Sequence, residues 1–392
     1  MGVNMHPTTK AIRTQTARTA EMEHSSPLFL TSSFTYNDAE EMRAAFADEE
    51  EANIYTRFSN PTVQEFIDKI CVLEGAEDGF ATASGMSAVF ASFMALMKQG
   101  DHLLCCRSIF GSTHTVISKY LPKFGIEYTY VDASATAEEW AAAIRPNTKM
   151  IYLETPTNPA LDIVDLEMVV QLAKKENIIV NVDNCFATPI GQRPIDFGAD
   201  LVVHSATKWI DGQGRVLGGV VVGRKDLVHD IFLFCRSTGP AMSPFNAWVL
   251  SKATDTLDVR MERHASNALH LAKALEGHQQ IAFVKYPFLT SHPQYEIAKK
   301  QMQNGGGLVC FELKGGLNAG RSFLDNLKML SLTANLGDAR SIASHPASTT
   351  HAKLTEEERL AVGITPGLIR ISVGLEHADD IVEDILQALT SA

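Results

Sequence analysis

From residue 61 onward the chain alternates between two hydrophobic rhythms. Residues 62–74 (TVQEFIDKICVLE) repeat apolar side chains at helical spacing, and 86–98 (MSAVFASFMALMK) are apolar around most of a helix, which predicts burial. Short apolar runs follow: HLLCC at 102–106, MIYLE at 150–154, IIVNVD at 178–183, LVVHS at 201–205 and GGVVVG at 218–223. Runs of this length, rich in β-branched residues and nearly without polar alternation, fit strands covered on both faces. That is the mark of a mainly parallel central sheet covered by helices, an α/β fold. The amphipathic segment 162–176 (DIVDLEMVVQLAKKE) lies between two of these runs and predicts a βαβ unit. Residues 243–277 read as helical throughout, and GLVCFEL at 307–313 and LIRISVGLE at 368–376 read as strands, each followed by a helix. Residues 1–60 are polar, with few periodic apolar positions, and read as an extended arm and loops. The predicted organisation is an N-terminal arm (1–60), a large α/β domain (61–255) and a smaller C-terminal α+β domain (256–392), without tandem repeats.

Composition narrows the function classes. The 392 residues are 45% hydrophobic and 20% charged, as in an ordinary globular enzyme, which excludes a disordered or collagen-like chain. The net charge of −12 opposes general nucleic-acid binding, because the protein repels phosphates at long range. No apolar stretch is long enough to cross a bilayer, so no membrane partner is expected. The N-terminus, MGVNMHPTTKAIRTQTARTA, lacks the apolar core of a secretory signal, and His6 stands where myristoylation wants Ser or Thr. Cys71, Cys105, Cys106, Cys185, Cys235 and Cys310 form no C-x-x-C pair and mostly sit in apolar runs, which predicts buried free thiols in a reducing cytoplasm. The histidines show no metal-binding spacing, and His345 and His351 read as loop residues.

The chemistry lies at predicted strand ends, where open α/β sheets gather functional groups. Asn158 follows one run, Asp183 ends another, and Ser205, Thr207 and Lys208 close a third. A turn of small residues, Ser84-Gly85-Met86-Ser87-Ala88, opens the helix near 86. Each has a plain structural explanation: a helix cap, a surface ion pair, a solvated lysine. Together they describe a site for a phosphorylated, aldehyde-bearing aromatic cofactor. A helix N-terminus offers free N–H groups to a phosphate. A carboxylate keeps a pyridine nitrogen protonated, and a lysine forms a Schiff base with the aldehyde once its pKa has fallen.

Residues 200–214, DLVVHSATKWIDGQG, resemble the pyridoxal-phosphate attachment motif of the Cys/Met-metabolism enzymes. Further blocks resemble that family in order: YTRFSNPT at 55–62, ATASGMSA at 81–88, ETPTNP at 154–159, VDNCFATP at 182–189, SHPASTTH at 344–351 and IRISVGLE at 369–376. The resemblance implies a type I, aminotransferase-like fold, pyridoxal 5'-phosphate as cofactor, and a homotetramer built from dimers that share active sites. It implies Lys208 as the Schiff-base lysine and proton shuttle, and Asp183 as partner of the ring nitrogen. Ser84, Gly85, Met86, Ser205 and Thr207 are implied as cofactor contacts, mainly to the phosphate. Tyr55 and Arg57 are implied to reach the neighbouring subunit's phosphate, with Tyr55 also near its substrate. Asn158 and Arg370 are implied to hold cofactor and substrate carboxylate.

Two positions depart from the family pattern. Phe110 stands where many relatives stack a tyrosine over the cofactor ring, and Asn335 where many carry serine. Phenylalanine keeps the stacking surface but donates no proton. A thiolate leaving group benefits from a nearby acid, whereas an ester carboxylate leaves as a weak base. An acylated homoserine is therefore expected as substrate in preference to a thioether. The run from Trp209 to Gly219 resembles the O-succinylhomoserine sulfhydrylase branch, which implies γ-replacement by sulfide in methionine biosynthesis. Arg107 and Arg215 are candidates for the ester tail's distal carboxylate. The alternatives are cystathionine γ-synthase chemistry, an acetyl ester, or a γ-lyase. A nicotinamide dehydrogenase is disfavoured, because Gly212-Gln213-Gly214 has its third glycine out of place. A non-enzymatic scaffold would leave the strand-end cluster without a role.

Overall fold

The five apolar runs between residues 102 and 223 lie side by side at the centre of one seven-stranded sheet. The computed structural model describes residues 5–349, 355–360 and 363–390. The sheet contains β1 (Asp78–Thr82), β2 (His102–Cys106), β3 (Glu127–Val131), β4 (Thr148–Glu154), β5 (Ile179–Asp183), β6 (Leu201–Ser205) and β7 (Gly219–Gly223). Their order is β1-β7-β6-β5-β4-β2-β3. Only β7 runs antiparallel to its neighbours.

Strand residues alternate between two apolar cores. Leu201, Val203 and Val221 pack with helices Gly85–Leu96, Leu166–Lys175 and Lys225–Thr238. Val202, Val220 and Val222 pack with helices Pro61–Glu74, Pro244–Thr254 and Leu257–Leu275. Burial on both faces explains why these strands lack polar alternation.

A second sheet follows in the chain. It contains β8 (Ile281–Lys285), β9 (Leu308–Leu313), β10 (Ser331–Leu332), β11 (Ile342–Ser344) and β12 (Leu368–Ser372), in the order β10-β11-β12-β9-β8. All its pairings are antiparallel except β10 with β11. Phe311, Ile369 and Ile371 pack there against Phe323 and Ile385 of helices Gly316–Asn326 and Ala378–Leu389.

Several expectations need correction. The first 60 residues are not an arm throughout: they contain helices Pro7–Arg13 and Ala39–Phe46. Ala11 is buried in the same core as Phe66, and the Thr16 N–H donates to Glu65 at 2.8 Å. The stretch 243–277 is two helices, broken where Asp255 turns to bind the buried Lys69 ammonium at 2.7 Å. The helix expected over 162–176 starts only at Leu166, because Asp165 caps it through the Met168 N–H. The strand expected to reach 376 stops at Ser372, where the chain leaves β9 and Leu375 N bonds to Ala339. His345 is a fully buried loop residue held by Ser348 and the Pro366 carbonyl, and His351 lies outside the described residues. The six cysteines are free thiols, with Cys71 partly buried and the others buried. Among the described residues no helix is long and apolar enough to cross a membrane, and no side-chain cluster suits a metal ion.

Candidate active site

The parallel strands β4, β5 and β6 bring their carboxyl ends to one edge, with Glu154 opposite Asp183 and Asp183 opposite Val203. A cavity of about 140 Å³ opens there. Lys208 lines it from the turn after β6. That turn is anchored by buried Ala206, Trp209 and Ile210. Arg260 donates to the Trp209 carbonyl at 2.7 Å and to the Ile210 carbonyl at 3.0 Å. Glycines make room for the Trp209 indole, since a Cβ at Gly307 would stand 2.4 Å from the ring. The Lys208 Nζ donates to Asn335 Oδ1 at 2.7 Å. Burial lowers the Lys208 pKa below the ordinary lysine range; Cys185 opposes this and the Arg370 charge adds to it.

Asp183 faces the same cavity. It accepts from the Cys185 N–H and the Tyr152 hydroxyl, both at 3.1 Å. Burial nevertheless raises its pKa, against the pull of the Cys185 N–H, His204 and Tyr152. A cation beside it relieves that cost, which suits a protonated ring nitrogen.

The phosphate end is built by close approach. Ser84 caps the helix Gly85–Leu96, its hydroxyl accepting from the Ser87 N–H at 3.2 Å, which leaves the Gly85 and Met86 N–H groups at the helix start without an intrahelical acceptor. A Cβ at Gly85 would lie 2.6 Å from the Ser205 Cβ, and one at Gly219 only 2.1 Å from the Ser84 carbonyl oxygen. Glycine at both positions lets the helix end abut the ends of β6 and β7. Gly85, Met86 and Ser205 line the cavity. Thr207 sits beside them, but its hydroxyl bonds the Gly218 main chain, donating at 3.3 Å and accepting at 3.1 Å.

The second sheet supplies Arg370 from β12. It is 8% exposed, lines the cavity, and donates to Asn158 Oδ1 at 3.0 Å. Burial lowers its pKa, so an anion placed there is strongly favoured. Phe110 also lines the cavity, with its N–H donating to Glu154 at 2.9 Å. Tyr55 and Arg57 stand apart: the guanidinium lies over the Phe58 ring at 4.9 Å and donates to the Arg236 carbonyl. Neither lines this chain's cavity. Arg107 and Arg215 do not line it either; Arg107 stacks on Tyr130, and Arg215 pairs with buried Asp211 at 2.9 Å. Glu154, Tyr152 and Cys185 join the site without having been singled out. Their signal was the pairing of strand ends, which places Glu154 beside Asp183.

A lysine of lowered pKa, a buried carboxylate, a helix N-terminus pressed against two strand ends and a buried arginine surround one cavity. The fold and these donors define a pyridoxal-phosphate-dependent enzyme of the aminotransferase-like type, and the residues present fit that cofactor. The family model of the Cys/Met metabolism PLP-dependent enzymes matches residues 8–390, and the chain belongs to that family. It is 46% identical over 383 residues to an O-succinylhomoserine sulfhydrylase of Pseudomonas aeruginosa, covering 98% of this chain and 95% of the relative. An L-methionine gamma-lyase of Fusobacterium nucleatum is 45% identical, covering 93% and 92%. Among solved structures, a cystathionine gamma synthase of Xanthomonas oryzae superposes with a TM-score of 0.94 at 34% identity, covering 99% of each chain. A Campylobacter jejuni structure with the same TM-score of 0.94 and 34% identity covers 99% of this chain and 100% of its own, and carries N'-pyridoxyl-lysine-5'-monophosphate.

Proposed function

We propose that the protein catalyses γ-replacement on an acylated homoserine, with O-succinylhomoserine and sulfide giving homocysteine and succinate. The observation that carries the reading is Phe110: the side chain exposed at the cavity has an aromatic face and no hydroxyl. A site without an acid at that point favours a leaving group that needs no proton, and a carboxylate is one. The similarity to the P. aeruginosa sulfhydrylase supports the same choice.

Pyridoxal phosphate, when bound, supplies an aldehyde for covalent attachment of an amine and a cationic ring that takes up electrons. Lys208 would anchor it, and Gly85, Met86 and Ser205 would hold its phosphate, with Ser84 fixing the helix end and Thr207 the adjoining loop. Asp183 would pair with a cationic ring nitrogen, and Phe110 would supply an aromatic surface for the ring. Arg370, steadied by Asn158, grips the substrate α-carboxylate with its planar fork. Asn335 holds the Lys208 amine when it is free. Lys208 takes the proton from the substrate Cα and moves protons at Cβ. The Cγ–O bond breaks as succinate leaves, and a C–S bond forms at Cγ as hydrosulfide enters.

The test is steady-state assay of the holoenzyme with succinyl and acetyl esters, each with sulfide and with cysteine. Homocysteine from the succinyl ester and sulfide, at the highest kcat/KM of the four, is expected. A higher value with cysteine or with the acetyl ester replaces the reading. Methionine cleavage without ester turnover overturns it. Lys208→Ala is expected to abolish turnover in every assay.

A further inference from the structure

Glu154 ends β4 in the cavity wall and has no part in the chemistry above. Its residue is 2% exposed and stands beside Asp183, its register partner. Burial raises its pKa well above the ordinary carboxylate range, and the Asp183 charge adds to this. A carboxyl group in such a place is costly unless an interaction offsets its desolvation. Two interactions offset it: the Arg370 charge, and the loop that carries Phe110, whose N–H donates to Glu154 Oε2 at 2.9 Å.

Ile109 packs in the apolar core, but that loop has few other main-chain ties. Arg107 N bonds to Val131 at its start, and Ile109 N bonds back to Arg107 within the turn. Phe110 then opens the short helix Gly111–Thr115, which has no side-chain cap. Among the described residues, Glu154 alone accepts the Phe110 N–H and so fastens that residue to the central sheet. The backbone N–H of Phe110 is pinned while the residue stays 46% exposed and lines the cavity.

We propose that Glu154 is a positioning residue: by holding the Phe110 N–H from the end of β4, it sets the height and tilt of the phenyl ring over the cavity. The inference rests on the reading that Phe110 covers the cofactor ring. It assigns Glu154 an acceptor role that does not need its charge.

Two substitutions separate acceptor from charge. Glu154→Gln keeps a carbonyl acceptor, and Glu154→Met keeps the bulk without one. Each holoenzyme is read by visible circular dichroism of bound pyridoxal phosphate, by the dissociation constant of the cofactor, and by kcat and KM. Glu154→Gln is expected within about twofold of wild type in each constant, and Glu154→Met to alter the dichroism and lower kcat roughly ten- to hundredfold with KM little moved. In a Phe110→Ala background, Glu154→Met should add less than about twofold, because the ring it positions is gone. The inference is overturned if Glu154→Met matches wild type, if Glu154→Gln fails as fully as Glu154→Met, or if the two losses multiply in the double variant. If Glu154→Met does not fold, Glu154→Leu is the second side chain without an acceptor. A silent Phe110→Ala overturns the covering role of Phe110 itself, a failure distinct from an active Phe110 that ignores Glu154.

Discussion

Lys208 and Asp183 face one cavity, and burial drives both toward their neutral forms: the amine's pKa falls and the carboxyl's rises. The two shifts serve different ends. A neutral amine is a nucleophile and a base, whereas a cation beside the carboxyl favours its charged form and offsets the cost of its burial. Phe110 belongs to the same scale, because one missing hydroxyl argues for an ester leaving group. Phe110→Tyr is accordingly expected to introduce or raise elimination from cystathionine or methionine, read as 2-oxobutanoate and free thiol, with the ester reaction little changed. No rise removes the leaving-group argument and leaves the cofactor intact. Lys208, Asp183 and Asn158 were legible in the sequence because each closes or follows an apolar run; Arg370, in the middle of the β12 run, was marked only by the family resemblance. Glu154 also closes an apolar run, but no motif role was attached to it, and its place beside Asp183 appears only with the strand register. Arg107 and Arg215, the candidates for the ester tail, do not line the cavity; Arg107 lies over Tyr130 and Arg215 pairs with Asp211, contacts between residues distant or buried that the sequence does not display.

At the level of elements, the five central strands were readable from apolar runs, while β1 and β3 at the sheet edges were not. β3 reads EYTYV, with its first residue exposed and the next three half-buried, so its pattern lacks the apolar run that marks the interior. The break at Asp255 was not legible, since the residue binds Lys69, a partner distant in sequence. A similar long-range tie gives a stability test. Asp384, on the C-terminal helix, accepts the N–H groups of Lys328, Met329 and Leu330 at 2.9, 2.9 and 3.0 Å. Burial pushes its pKa up, but these donors outweigh it and hold the value below the ordinary aspartate range. A depressed folded-state pKa contributes stability that is full above the unfolded value and is lost as pH falls through the folded one. Asp384→Ala should cost roughly 2–4 kcal/mol near neutrality. In urea unfolding, the wild type and the variant should draw together below about pH 4. A difference that stays constant with pH sinks the assignment.

On the scale of the molecule, two sheets contribute to one cavity, and the Arg370–Asn158 bond joins them across it. Tyr55 and Arg57 lie outside it. We propose that they complete the site of a second copy in a homotetramer. Co-refolded Lys208→Ala and Arg57→Ala chains are then expected to recover activity that neither variant has alone, because some mixed sites draw an intact lysine from one chain and an intact arginine from the other. An unmixed level of activity after subunit exchange, verified by tagged pull-down, overturns that arrangement. Within each chain, Arg260 grips both carbonyls of the turn behind Lys208, and the Trp209 indole floors it. The lysine Cα is therefore a fixed pivot, and its amine moves only by rotating its own four-carbon stem. Whatever it touches must lie along one short arc approached from one side, so a proton taken from the substrate and a proton returned to it cross the same molecular face.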